Sequence, residues 1–477
     1  MLKRLLSYSA GLYAMAMFTS VARIGLRSLI AKTAGKEALG AYAFYGTAIA
    51  LGGSLVAFGL KRSVAKLVAA SGEERDYAPV VCAVMAIFAV VTLASAAIGL
   101  ALSPWLDWVY LFALVTLGPV TIFELARAAF RGQLDQRREI GLLFAGICVQ
   151  TLFVAGATVF SGNPRAPVWG ATAANLLIAL AVVGYFLRRH GAAWRPAALD
   201  ASFRTTAFRS LLALSLPIWI ADVFGVVGHQ ADQVIVQGTL GYAALAEYAA
   251  AFTFIGLLDQ PITILSRVML VTFAGGHYTE VEQYRTVTSL SLAFFSLLGL
   301  VAMTVAMPLT PVVFTAAYAA VPTLVAILSV SCVFNAVEVL NSSLTIARDY
   351  AEANRNASLW STAAYVPLAF LLVHQGGVVG AAWSYVASWA GYALIHAIYM
   401  RRRLPEHAAI ALRKMFLGTI LYGLAAAAIR WSGSAWWFAA VAPAYFCAGQ
   451  VVGVWDLRRV PRLARSLLRQ GSTPANP

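Results

Sequence analysis

The chain carries little charge: of its 477 residues only 12% are Asp, Glu, Lys or Arg, against 61% hydrophobic. That balance leaves too little polar surface to cover a water-soluble fold. Cysteine is scarce as well. Cys82, Cys148, Cys332 and Cys447 stand alone in apolar stretches, with neither CxxC spacing nor the framework of an exported disulfide scaffold, so no metal centre is read from them. No GxxxxGK[ST] stretch occurs and no polar segment has room for a nucleotide-binding domain, which excludes a single-chain ATP-driven pump. Paired carboxylates on a soluble domain, Asp-x-Asp and a Ser/His/Asp set are also missing, which argues against an enzyme and implies no cofactor. The net charge of +15 would suggest nucleic acid only if the basic residues gathered on a folded polar domain. They lie in short loops instead, so no nucleic-acid partner is expected.

What the chain has is apolar runs. Each is about 20 residues long and ends in charges or Gly/Pro turns, the length a helix needs to cross a hydrocarbon layer roughly 30 Å thick. The fold class that follows is an all-α polytopic membrane protein of about fourteen transmembrane helices. They are expected near 6–31, 39–60, 79–102, 108–130, 140–160, 167–187, 211–236, 242–265, 287–307, 322–346, 358–373, 377–399, 413–429 and 435–455. The longer links are 61–78, 188–210, 266–286 and 401–412. The start, Met1-Leu2-Lys3-Arg4, has the basic opening of a signal peptide, but the apolar run continues from Leu5 to Ile30 with no small-x-small cleavage site. It reads as the first transmembrane helix.

Charge asymmetry supports an even number of crossings. With the N-terminus in the cytoplasm, 28 of the 35 Lys/Arg fall in cytoplasmic segments, and the opposite loops hold only Lys32, Lys36, Arg165 and Arg430. An added or omitted helix would scramble that bias, so both termini are expected in the cytoplasm. The stretch 458–477, with five arginines among Leu and Val, reads as a basic tail attracted to anionic membrane lipids. Trp105, Trp108, Trp169, Trp431, Trp436 and Trp437 cluster at predicted outer ends, where aromatic rings anchor helices.

The chain repeats itself. Ile30 to Tyr42 matches Ile235 to Tyr248 in spacing within one residue: Leu39 pairs with Leu245, Tyr42 with Tyr248, and Lys61 with Arg267 where the second helix of each copy returns. Six helices separate the copies, so both enter the membrane in the same direction. Two parallel six-helix lobes around a central cavity are expected, 1–209 and 210–400, followed by helices 13 and 14 in 401–457 and the tail.

This architecture, the entry Leu39-Gly40-Ala41-Tyr42 and the closing Asp232-Gln233-Val234-Ile235 resemble the polysaccharide flippase branch of the multidrug/oligosaccharidyl-lipid/polysaccharide exporter superfamily over essentially the whole chain. The resemblance implies a flippase that moves a polyprenyl-pyrophosphate-linked oligosaccharide from the cytoplasmic to the periplasmic leaflet of a bacterial plasma membrane. It further implies a lipid-linked oligosaccharide substrate and association with polysaccharide polymerase machinery. The alternatives are a drug/cation antiporter of the same superfamily and a membrane polysaccharide polymerase or ligase, the latter disfavoured by the short outer loops.

Ionisable residues at membrane depth cost about 2.5–3.5 kcal/mol to insert, so those that persist usually face a cavity or a partner. Arg23 and Arg27 are four apart and share one face of helix 1. Cavity-facing roles toward an anion compete there with snorkelling. Glu124 and Arg127, three apart on helix 4, read as an ion pair that neutralises itself or as a cavity pair. Helix 7 carries Asp222, His229 and Asp232, with His229 two turns from Asp222 as a proton-site candidate. Glu338 lies mid-helix between Asn335 and Asn341 on one polar stripe. Arg23, Arg27, Arg127 and His229 are thus the expected substrate contacts; Asp222, Asp232, Glu338 and Glu124 are expected to couple H+ or Na+ or to gate. The repeat also sets Arg27 opposite Asp232, a pair suited to an outer gate.

Overall fold

The computed structural model of the chain describes residues 2–70, 74–133, 135–191, 206–274, 280–432 and 434–455. Among the described residues the secondary structure is helical throughout, in the order α1 (Leu2–Thr33), α2 (Gly35–Val56), α3 (Leu60–Ala70), α4 (Glu74–Leu102), α5 (Trp108–Gly132), α6 (Gln136–Ser161), α7 (Ala166–Arg189), α8 (Thr206–Ala274), α9 (Val281–Val313), α10 (Val321–Leu328), α11 (Ser331–Ala347), α12 (Ala351–Met400), α13 (Pro405–Ser432) and α14 (Phe438–Val452). Among the described residues ten helical segments are long and apolar enough to cross a membrane. Two of them double back. α8 turns at Gly241 and α12 at Gly377, both at positive φ (81° and 58°), where a side chain on Cβ would be strained. With α1, α14 and these two reversals, the described helices account for fourteen passes of a multi-pass membrane protein.

The boundaries depart from hydropathy in an instructive way. The predicted link 61–78 contains α3, whose Leu60, Val64 and Val68 recur every four residues and are buried while Lys66 is exposed. It is an amphipathic helix, too short and too charged to register as a span. The predicted links 266–286 and 401–412 are helical over much of their length, because a helix is free to continue past the hydrocarbon once its polar face meets water. The predicted helix 322–346 is broken at Ser329–Val330 into α10 and α11. The basic tail lies outside the described residues.

The chain forms two compact units. The first comprises Met1–Ala250, Val313–Ala317 and Ala369–Ala381. In it α1 packs on α6, α6 on α7, α7 on α5, α5 on α2 and α2 on α1, which closes a ring of five helices. Its apolar core runs from Val64 of α3 through Met85 and Phe88 of α4 to Leu125 of α5 and Phe186 of α7. The second unit comprises Ala251–Val312, Tyr318–Leu368 and Ala382–Pro477. It is built around Phe273, Tyr284, Leu340, Leu344 and Met400, with α13 packed on α11 and α14. Trp105, Trp431, Trp436 and Trp437 are exposed at helix ends, and of the cysteines Cys82 and Cys332 are buried while Cys447 is exposed.

Candidate functional site

The five-helix ring of the first unit encloses a cavity of about 490 Å³. Helical spacing decides what reaches it. On α1 the i,i+4 pair Arg23 and Arg27 projects to the lining, and on α5 the i,i+3 pair Glu124 and Arg127 does the same. Four of the eight residues singled out from the sequence therefore line one cavity. Among the lining residues, three guanidiniums face a single carboxylate, so the cavity is basic.

Each arginine is held differently. Arg23 is exposed to the cavity and forms no ion pair among the described residues. Arg27 is half-buried and donates from Nη1 to the Ala249 carbonyl at 2.9 Å. Arg127 donates to Glu124 Oε1 at 2.7 Å, lies 3.9 Å from Glu139 Oε1 and sits 5.8 Å from the Phe123 ring centroid. Glu139 is fully buried and is clasped by Arg131 through Nη2 at 2.7 Å and Nε at 3.0 Å. Two acids thus moderate Arg127, yet its buried Nε has no partner among the described residues. Neutral polar groups complete the lining. Gln150, Asn175, Gln230 and Gln233 face the cavity, Thr47 donates to Gln233 Oε1 at 2.7 Å, and the Tyr45 hydroxyl joins Thr116 at 2.8 Å and Thr172 at 3.1 Å.

The two segments that match in the sequence, 30–42 and 235–248, approach each other within this unit. Lys36 pairs with Glu247, and the Gly40 backbone presses on Tyr242 so closely that a Cβ would stand 1.8 Å from the Tyr242 carbonyl oxygen. Asp232, fully buried, accepts from the Tyr248 hydroxyl and from the Gln233 amide at 2.9 Å. Asp222 is half-buried on α8 and His229 is exposed, and neither lines the cavity, although Gln230 beside His229 does.

Glu338 lies in the second unit, in a different setting. It is buried, and its Oε1 meets His396 Nδ1 at 2.5 Å, while His396 Nε2 lies 3.2 Å from the Thr345 hydroxyl. Tyr284 donates to Asn341 Oδ1, and both Glu338 Oε2 and Asn341 Nδ2 are buried without a partner among the described residues. His396 escaped the sequence reading because its partner is 58 residues away; the one local signal is the i,i+4 spacing of Tyr392 and His396.

A structure described as the lipid II flippase MurJ in an inward closed conformation matches with TM-score 0.68 and 13% identity, covering 96% of this chain and 99% of that one. An inward-facing multidrug resistance MATE family transporter of the MOP superfamily matches at 0.58 and 17%, covering 84% and 94%. A MOP superfamily transporter from Pyrococcus furiosus, described as having a binding pocket of reverse polarity, matches at 0.56 and 14%, covering 86% and 96%. At such identities the likeness is one of fold, and the fold is that of MOP superfamily transporters. Curated proteins yield no match. Residues 7–273 match the family described as "Polysaccharide biosynthesis protein".

Proposed function

The chain belongs to the polysaccharide biosynthesis protein family, and from that premise we propose that it is a flippase, carrying a polyprenyl-pyrophosphate-linked oligosaccharide from the cytoplasmic to the outer leaflet of a bacterial plasma membrane. The observation that carries this reading is the charge of the cavity, with Arg23, Arg27 and Arg127 set against Glu124 alone. Guanidinium forks suit phosphate oxygens geometrically, and each charge-assisted hydrogen bond contributes about 1.5–3 kcal/mol. Arg23 is the primary anion contact because no carboxylate among the described residues competes for it. Arg127 adds its positive charge to the lining, and the amides of Gln150, Asn175, Gln230 and Gln233 meet sugar hydroxyls.

Two further roles complete the proposal. The membrane potential assists export, since moving one negative charge outward across an inside-negative membrane gains about 2.3 kcal/mol per 100 mV. The Glu338–His396 pair serves as a coupling site that binds and releases a proton. Both termini are cytoplasmic in this scheme, and transport alternates between the lobes 1–209 and 210–400. The Arg27–Asp232 contact acts as an outer gate that closes in one state and parts in the other.

A cation antiporter is the second reading, favoured by the buried acid at Glu338, but it calls for an acidic substrate cavity and the lining here is basic. The test is leaflet accessibility: in cells depleted of the protein, lipid-linked glycan should become inaccessible to a membrane-impermeant glycan-oxidising reagent while its total amount is maintained. Unchanged accessibility would contradict the proposal.

A further inference from the structure

Arg131 lies outside the cavity lining, yet it ends a row of charges that begins there. From the lining outward the row runs Glu124, Arg127, Glu139, Arg131, acid and base in alternation. Three of the four stand on α5. Arg127 follows Glu124 by three residues and Arg131 follows Arg127 by four, so they share one face of that helix. The fourth, Glu139, comes from the first turn of α6, where Asp135 caps the helix by accepting from the Arg138 amide at 3.0 Å. An acid in the first turn of α6 and a base in the last turn of α5 suit the two helix dipoles, but that role needs no burial. The Glu139 side chain is 1% exposed, and its Oε1 is reached by two cations: Arg131 through Nη2 at 2.7 Å and Nε at 3.0 Å, and Arg127 through Nη2 at 3.9 Å. Arg131 itself is 47% exposed.

Two arginines four apart on one helix repel, and a buried carboxylate needs a cation, so the Glu139 oxygen has two claimants. Two short charge-assisted bonds give it to Arg131, and the contact with Arg127 stays long. Arg127 keeps its hydrogen bond to Glu124 at 2.7 Å, and the rest of its charge acts on the cavity it lines. Resting on the flippase reading, we infer that Arg131 is a positioning residue for substrate recognition: by holding Glu139 it keeps the charge of Arg127 available to the anionic head, without itself touching the substrate. With Arg131 removed, the buried carboxylate turns to Arg127, whose guanidinium is then shared between two acids. Attraction between charges is weakly screened where both groups are largely buried, and the Arg127 side chain is only 16% exposed. Shortening the 3.9 Å contact therefore draws the guanidinium off the cavity and cancels its field there.

The experiment uses the full-length protein in detergent with inorganic pyrophosphate as the probe. Affinity is read by titration calorimetry, and the fold is checked by the melting temperature without ligand. Arg131→Gln should weaken pyrophosphate binding about tenfold, within the usual range of coupling between neighbouring charges. Glu139→Gln keeps the shape of the side chain, removes the charge that pulls on Arg127, and should stay within about threefold of wild type. The deciding variant is the double exchange Arg131→Gln with Glu139→Gln, which should return to within about threefold of wild-type affinity. A residue that touched the anion directly, or that served packing alone, would not be replaced by a second loss, so this recovery is what a role through Glu139 requires. Unchanged affinity in Arg131→Gln, or a double variant as weak as Arg131→Gln, would overturn the inference while wild-type binding kept the flippase reading alive. If Arg131→Gln does not fold, Arg131→Lys alone and with Glu139→Gln carries the same comparison, with an expected loss of about threefold because the ammonium lacks the fork. Absence of pyrophosphate binding in the wild type would overturn the flippase reading and this inference together.

Discussion

The two units handle buried charge in opposite ways. In the first, Arg23, Arg27 and Arg127 line an open cavity with an excess of positive charge, and the surrounding amides and hydroxyls leave room for a polar guest. In the second, Glu338 is sealed against His396 at 2.5 Å with no exposed surface on the histidine, so carboxyl and imidazole meet away from any cavity. An unmatched group facing a cavity is available to a ligand, whereas a matched pair in a dry interior is sensitive to the arrival or loss of a single proton. In the proposed scheme the first unit recognises the substrate and the second couples transport to a proton.

The largest effect expected is on recognition. Arg23→Glu reverses the charge of a cavity guanidinium that forms no ion pair among the described residues and should abolish transport, with binding of inorganic pyrophosphate weakened at least a hundredfold; intact binding would return Arg23 to a snorkelling role. Next comes the coupling unit. Glu338→Ala removes half of a buried pair and is expected to cost about 3–5 kcal/mol of stability, read as a lowered melting temperature in detergent. Glu338→Gln keeps the shape and should leave pyrophosphate binding unchanged while transport stops responding to an imposed pH gradient. Retained gradient sensitivity would break the division of labour between the units.

The gate proposal predicts a smaller and conditional effect. Arg27→Asp and Asp232→Arg should each impair transport, and the double exchange should restore it in part. Failure of cysteines at 27 and 232 to cross-link in any condition would remove the pair. Lys36→Ala should matter least, because its ion pair with Glu247 is only partly buried, at 29% and 20% exposure, and such pairs are worth about 0–1 kcal/mol. A large loss of transport in that variant would move the gate from Arg27 to Lys36.

The passes were legible because hydropathy and loop charge report the solvent each segment meets. Their ends were not, since α3 and the extensions of α8 and α13 are helical where the sequence is polar, and a polar helix resembles a loop in composition. At the candidate site, Arg23, Arg27, Glu124 and Arg127 could be found by the cost of charge at membrane depth, and the structure gathers them. Gln150, Asn175, Gln230 and Gln233 carry no such cost and gave no signal. Glu139 sits where α6 begins, so its complete burial against Arg131 depends on how α5 and α6 pack, and sequence spacing alone does not reveal that.

The central claim is that the basic cavity of the first unit carries the anionic head across the membrane. It is tested most directly in vesicles containing the purified protein and a fluorescent polyprenyl-pyrophosphate-linked oligosaccharide in both leaflets, with quenching by a membrane-impermeant reductant. Wild-type protein should render nearly all of the probe reducible, Arg23→Ala should leave about half protected as in protein-free vesicles, and Arg23→Lys should fall between them. Equal reduction with wild type and Arg23→Ala would contradict the account.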